Sequence, residues 1–83
     1  MHISIYSLKK VLYEGEAVSV NMKTASGEIT VLDHHRPLIS LLELGTIKVI
    51  DTDEKEHYLP VTSGFLEVNA ENSIRLLVEE PLV

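Results

Sequence analysis

Apolar residues recur at every second position through most of the chain. Ile3 and Ile5 alternate with Ser4 and Tyr6, and Val18, Val20 and Met22 alternate with Ala17, Ser19 and Asn21. The same spacing returns at Ile29 and Val31, Ile47 and Val49, Leu59 and Val61, Leu66 and Val68, and Ile74 and Leu76. A period of two is that of a strand with one buried face. Turn-forming residues separate the runs at Ser26-Gly27, Gly45, Asp51 to Lys55, Ser63-Gly64 and Asn69 to Asn72. The pattern predicts an all-β domain of short antiparallel strands, a sandwich or a barrel. Thr62-Ser63-Gly64 reads as a turn, and Asp51 to Lys55 as a hairpin tip.

Two segments need a decision. Leu38, Leu41 and Leu42 fit helical spacing, but Pro37 and Gly45 confine that stretch to fewer residues than the ~12 an isolated helix needs. A strand or one loose turn is expected there. Pro60 sits in an apolar run and offers no N–H to a neighbouring strand, so Leu59 to Val61 belong at a sheet edge or a bulge.

At 83 residues the chain has room for one core, so 1–83 is read as a single domain. It contains no cysteine, which removes disulfides and thiolate metal sites. No apolar run exceeds three residues, as at Leu76 to Val78, and the N-terminus lacks the pattern of a signal peptide. A soluble, intracellular chain is the expectation. The net charge is −6, all of it from residues 51–83, where eight acids face Lys55 and Arg75. Without a basic stripe, direct binding to nucleic acid or anionic lipid is not expected.

Catalytic chemistry finds little to work with. His34 and His35 are adjacent and would point to opposite faces of a strand, and His2 and His57 lie elsewhere, so no metal site is assigned. Ser63 lacks the preceding glycine of a nucleophile elbow, since Val61 stands there. Glu14 and Glu16 share a strand face across Gly15, but near a predicted turn they read as solvated acids. The glycines are too scattered for a phosphate loop. Tyr6, Tyr13, Tyr58 and Phe65 form only a thin stacking set. No catalytic residue, metal or cofactor is assigned. The loop Asp33 to Pro37, between two apolar strands, reads either as an ordinary connection or as a binding loop on a rigid scaffold.

Three stretches carry a family resemblance. Lys10 to Val20 (KVLYEGEAVSV) is similar to "KVLFEGEVESV", and Gly27 to Leu38 (GEITVLDHHRPL) to "GELGILPGHAPL". Ser63 to Val68 (SGFLEV) is similar to "GGFLEV". In order and spacing the chain resembles the N-terminal β-sandwich domain of the epsilon subunit of F-type ATP synthases. It departs from that pattern where Thr30, Asp33, His34 and Arg36 stand for glycine, proline, glycine and alanine. Such glycines permit positive φ or close backbone approach, so a reshaped loop is expected.

The resemblance implies a two-layer antiparallel β-sandwich acting as a non-catalytic central-stalk subunit, peripheral to the cytoplasmic face of the membrane. Its partners would be the gamma subunit and the c ring, whose proton- or sodium-driven rotation it would couple to ATP synthesis. Glu28 would face the c ring. His35, with Pro37 and Leu38, would lie at the gamma or ring contact, and Ser7 near gamma. The sequence ends at Pro81-Leu82-Val83, just past the last predicted strand, so no role of the family's C-terminal helical hairpin is carried over. Alternatives are a free-standing interaction or carbohydrate-binding sandwich, and a small histidine-dependent metalloenzyme.

Overall fold

The computed structural model describes residues 1–81; Leu82 and Val83, with which the sequence ends, lie outside the described residues. Eight strands follow in order: β1 (His2–Tyr6), β2 (Val11–Thr24), β3 (Gly27–Leu32), β4 (Leu38–Leu42), β5 (Gly45–Asp51), β6 (Glu56–Val61), β7 (Ser63–Val68) and β8 (Ser73–Glu79). Among the described residues there is no helix, and the leucines from Leu38 to Leu42 form a strand.

β2 organises the architecture. Its first half pairs with β1, and its second half lies between β3 and β5. One layer is therefore β1, β8, β7 and β4 with the start of β2; the other is β3, β5 and β6 with its end. The partner changes at Glu16 and Ala17, where the pairing with β5 carries a bulge between Ala17 and Ser19. A bulge bends its strand and strengthens the twist, which lets one 14-residue strand serve both layers. It also corrects the predicted face. Ala17 is buried and Val18 exposed, whereas strict alternation put Val18 inside with Val20 and Met22.

Further readings change. Ser63 and Gly64 begin β7 and are not a turn; the bend is at Thr62. The strands are antiparallel except where β1 runs parallel to β8. Glu14 and Glu16 lie inside β2, not at a turn, and are exposed. Gly45, read as a turn, instead opens β5. Two expectations hold: Asp51 to Lys55 close the β5–β6 hairpin, and β6 is an edge strand carrying Pro60. A proline on that edge leaves one fewer donor for a stray strand to pair with.

One core joins the layers. Ile3, Ile5, Leu66, Ile74 and Leu76 meet Val20, Met22, Val31, Ile47 and Val49, all 0–1% exposed. At ~25 cal/mol per Å2 of apolar surface, each such side chain contributes about 1.5–3 kcal/mol, the main force opposing chain entropy. Asp51 organises the β5–β6 tip. Its Oδ1 accepts the N–H groups of Asp53 (2.8 Å) and Lys55 (3.0 Å), while Oδ2 meets His57 Nε2 at 2.8 Å.

Candidate functional site

The residues singled out from the sequence fall at two ends of the sandwich. Ser7 closes the tight β1–β2 connection: its hydroxyl accepts the N–H of Lys9 (3.2 Å) and Lys10 (3.3 Å), and its own N–H reaches the Lys10 carbonyl. Glu28, exposed near the start of β3, accepts a hydrogen bond from Asn21 Nδ2 at 3.2 Å. It adjoins the β2–β3 tip, whose Ala25 shares a groove with Leu8, so Glu28 and Ser7 belong to one end.

His35, Pro37 and Leu38 lie past the opposite end of β3. There the chain makes a polar latch. Asp33 Oδ1 accepts from the Met1 amino group (2.8 Å) and from Asn72 Nδ2 (2.9 Å). Asn72 Oδ1 in turn accepts the His34 N–H at 2.7 Å. His34 and Asn72 both have φ of 59°, the left-handed region that asparagine tolerates and most side chains avoid. The substituted loop thus keeps a glycine-like backbone at His34 and holds it by a hydrogen bond from another loop. His35 is half-buried, its N–H on the Leu32 carbonyl and its Nδ1–H donating to the Arg36 carbonyl at 2.7 Å. Pro37 is exposed, and Leu38 opens β4 opposite Val68.

Between the two ends runs an apolar face that periodicity alone did not single out. Leu41, Phe65, Leu77 and Tyr6 are successive partners across β4, β7, β8 and β1, on the side away from the core. Leu8 is 92% exposed, Ile39 75% and Phe65 56%. Leu8, Leu41, Phe65 and Leu77 line a groove of about 330 Å3. The alternation of β7 and β8 could have revealed the face, because Phe65 and Leu77 are apolar at outward positions.

The histidines serve separate contacts. His2 meets Glu16 (3.1 Å) and Glu14 (3.3 Å), one through each ring nitrogen, and His57 meets Asp51 while its ring lies 5.0 Å from that of Tyr13. His2 stands on β1 and His57 on β6. Among the described residues no three His, Asp or Glu side chains converge to hold a metal ion.

Three carboxyls, those of Asp33, Asp51 and Glu56, are held below the usual range, Glu56 by the Tyr58 hydroxyl first and Lys48 next. For Asp33 the hydrogen bond from the Met1 amino group is the largest cause and that from Asn72 the next. For Asp51 the His57 contact leads, followed by the Lys55 N–H. A depressed folded pKa adds stability above the unfolded value, near 3.8 for the two aspartates, and that stability is lost as pH falls through the folded value. The urea midpoint should hold steady from pH 7 to about pH 5 and fall between about pH 5 and pH 2. In the Asp51→Asn variant that acid fall should be shallower; an unchanged slope would show that the Asp51 contact is not linked to folding.

A family model for the ATP synthase delta/epsilon chain β-sandwich domain matches residues 1–81. ATP synthase epsilon chains from Bordetella avium and Protochlamydia amoebophila are 38% and 34% identical, over 82% and 93% of this chain. Those matches take in 48% and 52% of the relatives, so the chain spans about half the length of the proteins it resembles. Among solved structures, one chain of the Euglena gracilis mitochondrial ATP synthase (OSCP/F1/c-ring) superposes with a TM-score of 0.88 at 18% identity. That match covers 96% of this chain and 51% of the other. A chain of the Tetrahymena thermophila mitochondrial ATP synthase central stalk and c-ring gives 0.81 at 15%, covering 96% and 63%. At such identities the superpositions speak to the fold, a β-sandwich in both cases, while the match along residues 1–81 and the epsilon-chain relatives carry the assignment: this chain belongs to the ATP synthase delta/epsilon chain β-sandwich domain family.

Proposed function

We propose that this domain is a non-catalytic part of the central stalk of an F-type ATP synthase, peripheral to the cytoplasmic face of the membrane. It binds the gamma subunit through the Leu41–Phe65–Leu77 face and meets the c ring through the end that carries Glu28. Its work is mechanical: a close-packed sandwich transmits force with little internal give, so ion-driven rotation of the ring reaches the catalytic head. The observation that carries this reading is the apolar face. Contiguous exposed apolar surface costs free energy in water and marks a surface that a partner covers. Family membership, and solved neighbours from ATP synthase assemblies, support the choice of partner.

Within this reading the two ends divide the contacts. Glu28 offers a carboxylate to the ring. Ser7 and the segment His35, Pro37 and Leu38 stand at opposite margins of the apolar face, as the borders of a gamma interface would. Co-purification with the gamma subunit encoded in the same genome, followed by native mass spectrometry, tests the reading. The expected result is a one-to-one complex. Failure to bind folded gamma would overturn the stalk role.

A further inference from the structure

The α-amino group of Met1 occupies a site built for a cation. Met1 is 7% exposed and belongs to the same core as Ile3 and Ala17. Its amino nitrogen donates to the Ala17 carbonyl at 3.1 Å and to Asp33 Oδ1 at 2.8 Å, and Glu16 Oε1 stands 3.8 Å away. The Ala17 N–H returns to the Met1 carbonyl at 2.9 Å, so Met1 carries the pairing of β1 with β2 one residue further. One N–H of the ammonium thus serves the ladder, a second serves Asp33, and two carboxylates flank its charge.

From this nitrogen a chain of contacts runs to the β3–β4 loop. Asp33 Oδ1 also accepts Asn72 Nδ2 at 2.9 Å, and Asn72 Oδ1 holds the His34 N–H at 2.7 Å, where His34 has its φ of 59°. The His2 N–H fixes the Asn72 carbonyl at 3.2 Å. A free amine completes this arrangement and an amide cannot. Nitrogen bonded to a formyl group, an acetyl group or a preceding residue carries one N–H and no charge. If that N–H keeps the ladder bond to Ala17, Asp33 loses its donor, and Asp33 and Glu16 remain without the cation between them. The acyl carbon would also have to be placed among these carboxylates.

We infer that the Met1 amine is a structural cation whose free state holds the loop Asp33 to Pro37, and that acylation at this nitrogen is a modification that releases the loop. The inference goes beyond the stalk reading and does not depend on the identity of any partner.

Hydrogen exchange tests it on three forms of the whole chain. One has the free Met1 amine; one is α-N-formylated, made by cell-free translation with deformylase inhibited; one carries Gly-Ser ahead of Met1. Exchange at the His34 N–H should be about tenfold faster in both blocked forms, the signature of a local opening. The Ser26 N–H, held by Thr24 Oγ1 at the β2–β3 tip, lies at the other end of β3 and should keep its rate, which separates release of the loop from a general loss of stability. In Asp33→Ala the carboxylate that joins the amine to Asn72 is gone, so blocking the amine should add less than about twofold. The inference is overturned if a blocked chain protects His34 as well as the free one, or if Ser26 loosens equally. It is also overturned if the protein isolated from its own cells has Met1 acylated or preceded by further residues. Each of these results leaves the stalk reading standing.

Discussion

Gly64→Ala should lower the stability of the domain by about 3 kcal/mol, the upper part of the range for overpacking a core. For a domain of this size that is a fall in melting temperature of roughly 12–24 °C. Gly64 is the second residue of β7 and lies directly opposite Val78 on β8. A Cβ placed there would be driven into the carbonyl oxygen of Leu77 and would stand 3.0 Å from Val78 Cα and 3.2 Å from Val78 Cγ1. Two of these three neighbours are backbone atoms of the pairing strand, so no rotamer change relieves the collision. The β7–β8 ladder must separate or shift, and Leu66 and Leu76, both fully buried just beyond it, would move as well. Gly15→Ala is the control. It too lies within a strand, but its nearest contact would be the Tyr13 hydroxyl at 3.8 Å, an ordinary distance. Thermal and urea unfolding of the two variants should differ widely. Equal stabilities would mean that β7 and β8 do not approach so closely at Gly64.

Gly64 also shows where sequence reasoning reaches its limit. Glycine signals a turn when the chain needs positive φ, and a close approach when the neighbouring strand leaves no room for a Cβ; the letter is the same in both cases. Only the position of β8 decides, and Val78 lies 14 residues further along the chain. Alternation placed nearly every strand, because burying one face of a pleated ribbon dictates a period of two. It missed Val18 because a bulge adds one residue without a distinctive composition. The parallel pairing of β1 with β8 joins the two ends of the fold and leaves no local trace. The loop at Asp33 to Pro37 was legible as a departure from the family pattern. Its compensation was not, since Asp33 and Asn72 are 39 residues apart. Glu28 and His35 stand within a motif stretch and Ser7 does not; the division of the three between two ends follows from the direction of β3, which no single motif carries.

Phe65→Asp should weaken binding of gamma by about 100-fold while leaving the fold intact, the magnitude expected when an aromatic anchor becomes a buried, unpaired carboxylate. Phe65 and Gly64 are neighbours on β7 with opposite duties: Leu66 and Val68 set the inward face, so Phe65 points outward, 56% exposed. Its side chain lies between Leu41 on β4 and Leu77 on β8, the middle of the apolar face. A carboxylate there remains hydrated in the free domain, and the cost to folding is limited to about 1 kcal/mol of strand preference. Covered by gamma, the same carboxylate loses its water, and Arg75, a cation outward on β8, is already paired with Glu67 at 3.4 Å. The effect should appear mainly as faster dissociation, since a short-range desolvation cost acts after encounter. Weakened binding in kinetic measurements, with a melting temperature lowered by no more than about 4–8 °C, would place the interface on this face. Unimpaired binding by the variant would move gamma elsewhere on the domain and leave the Leu41–Phe65–Leu77 face to a different partner.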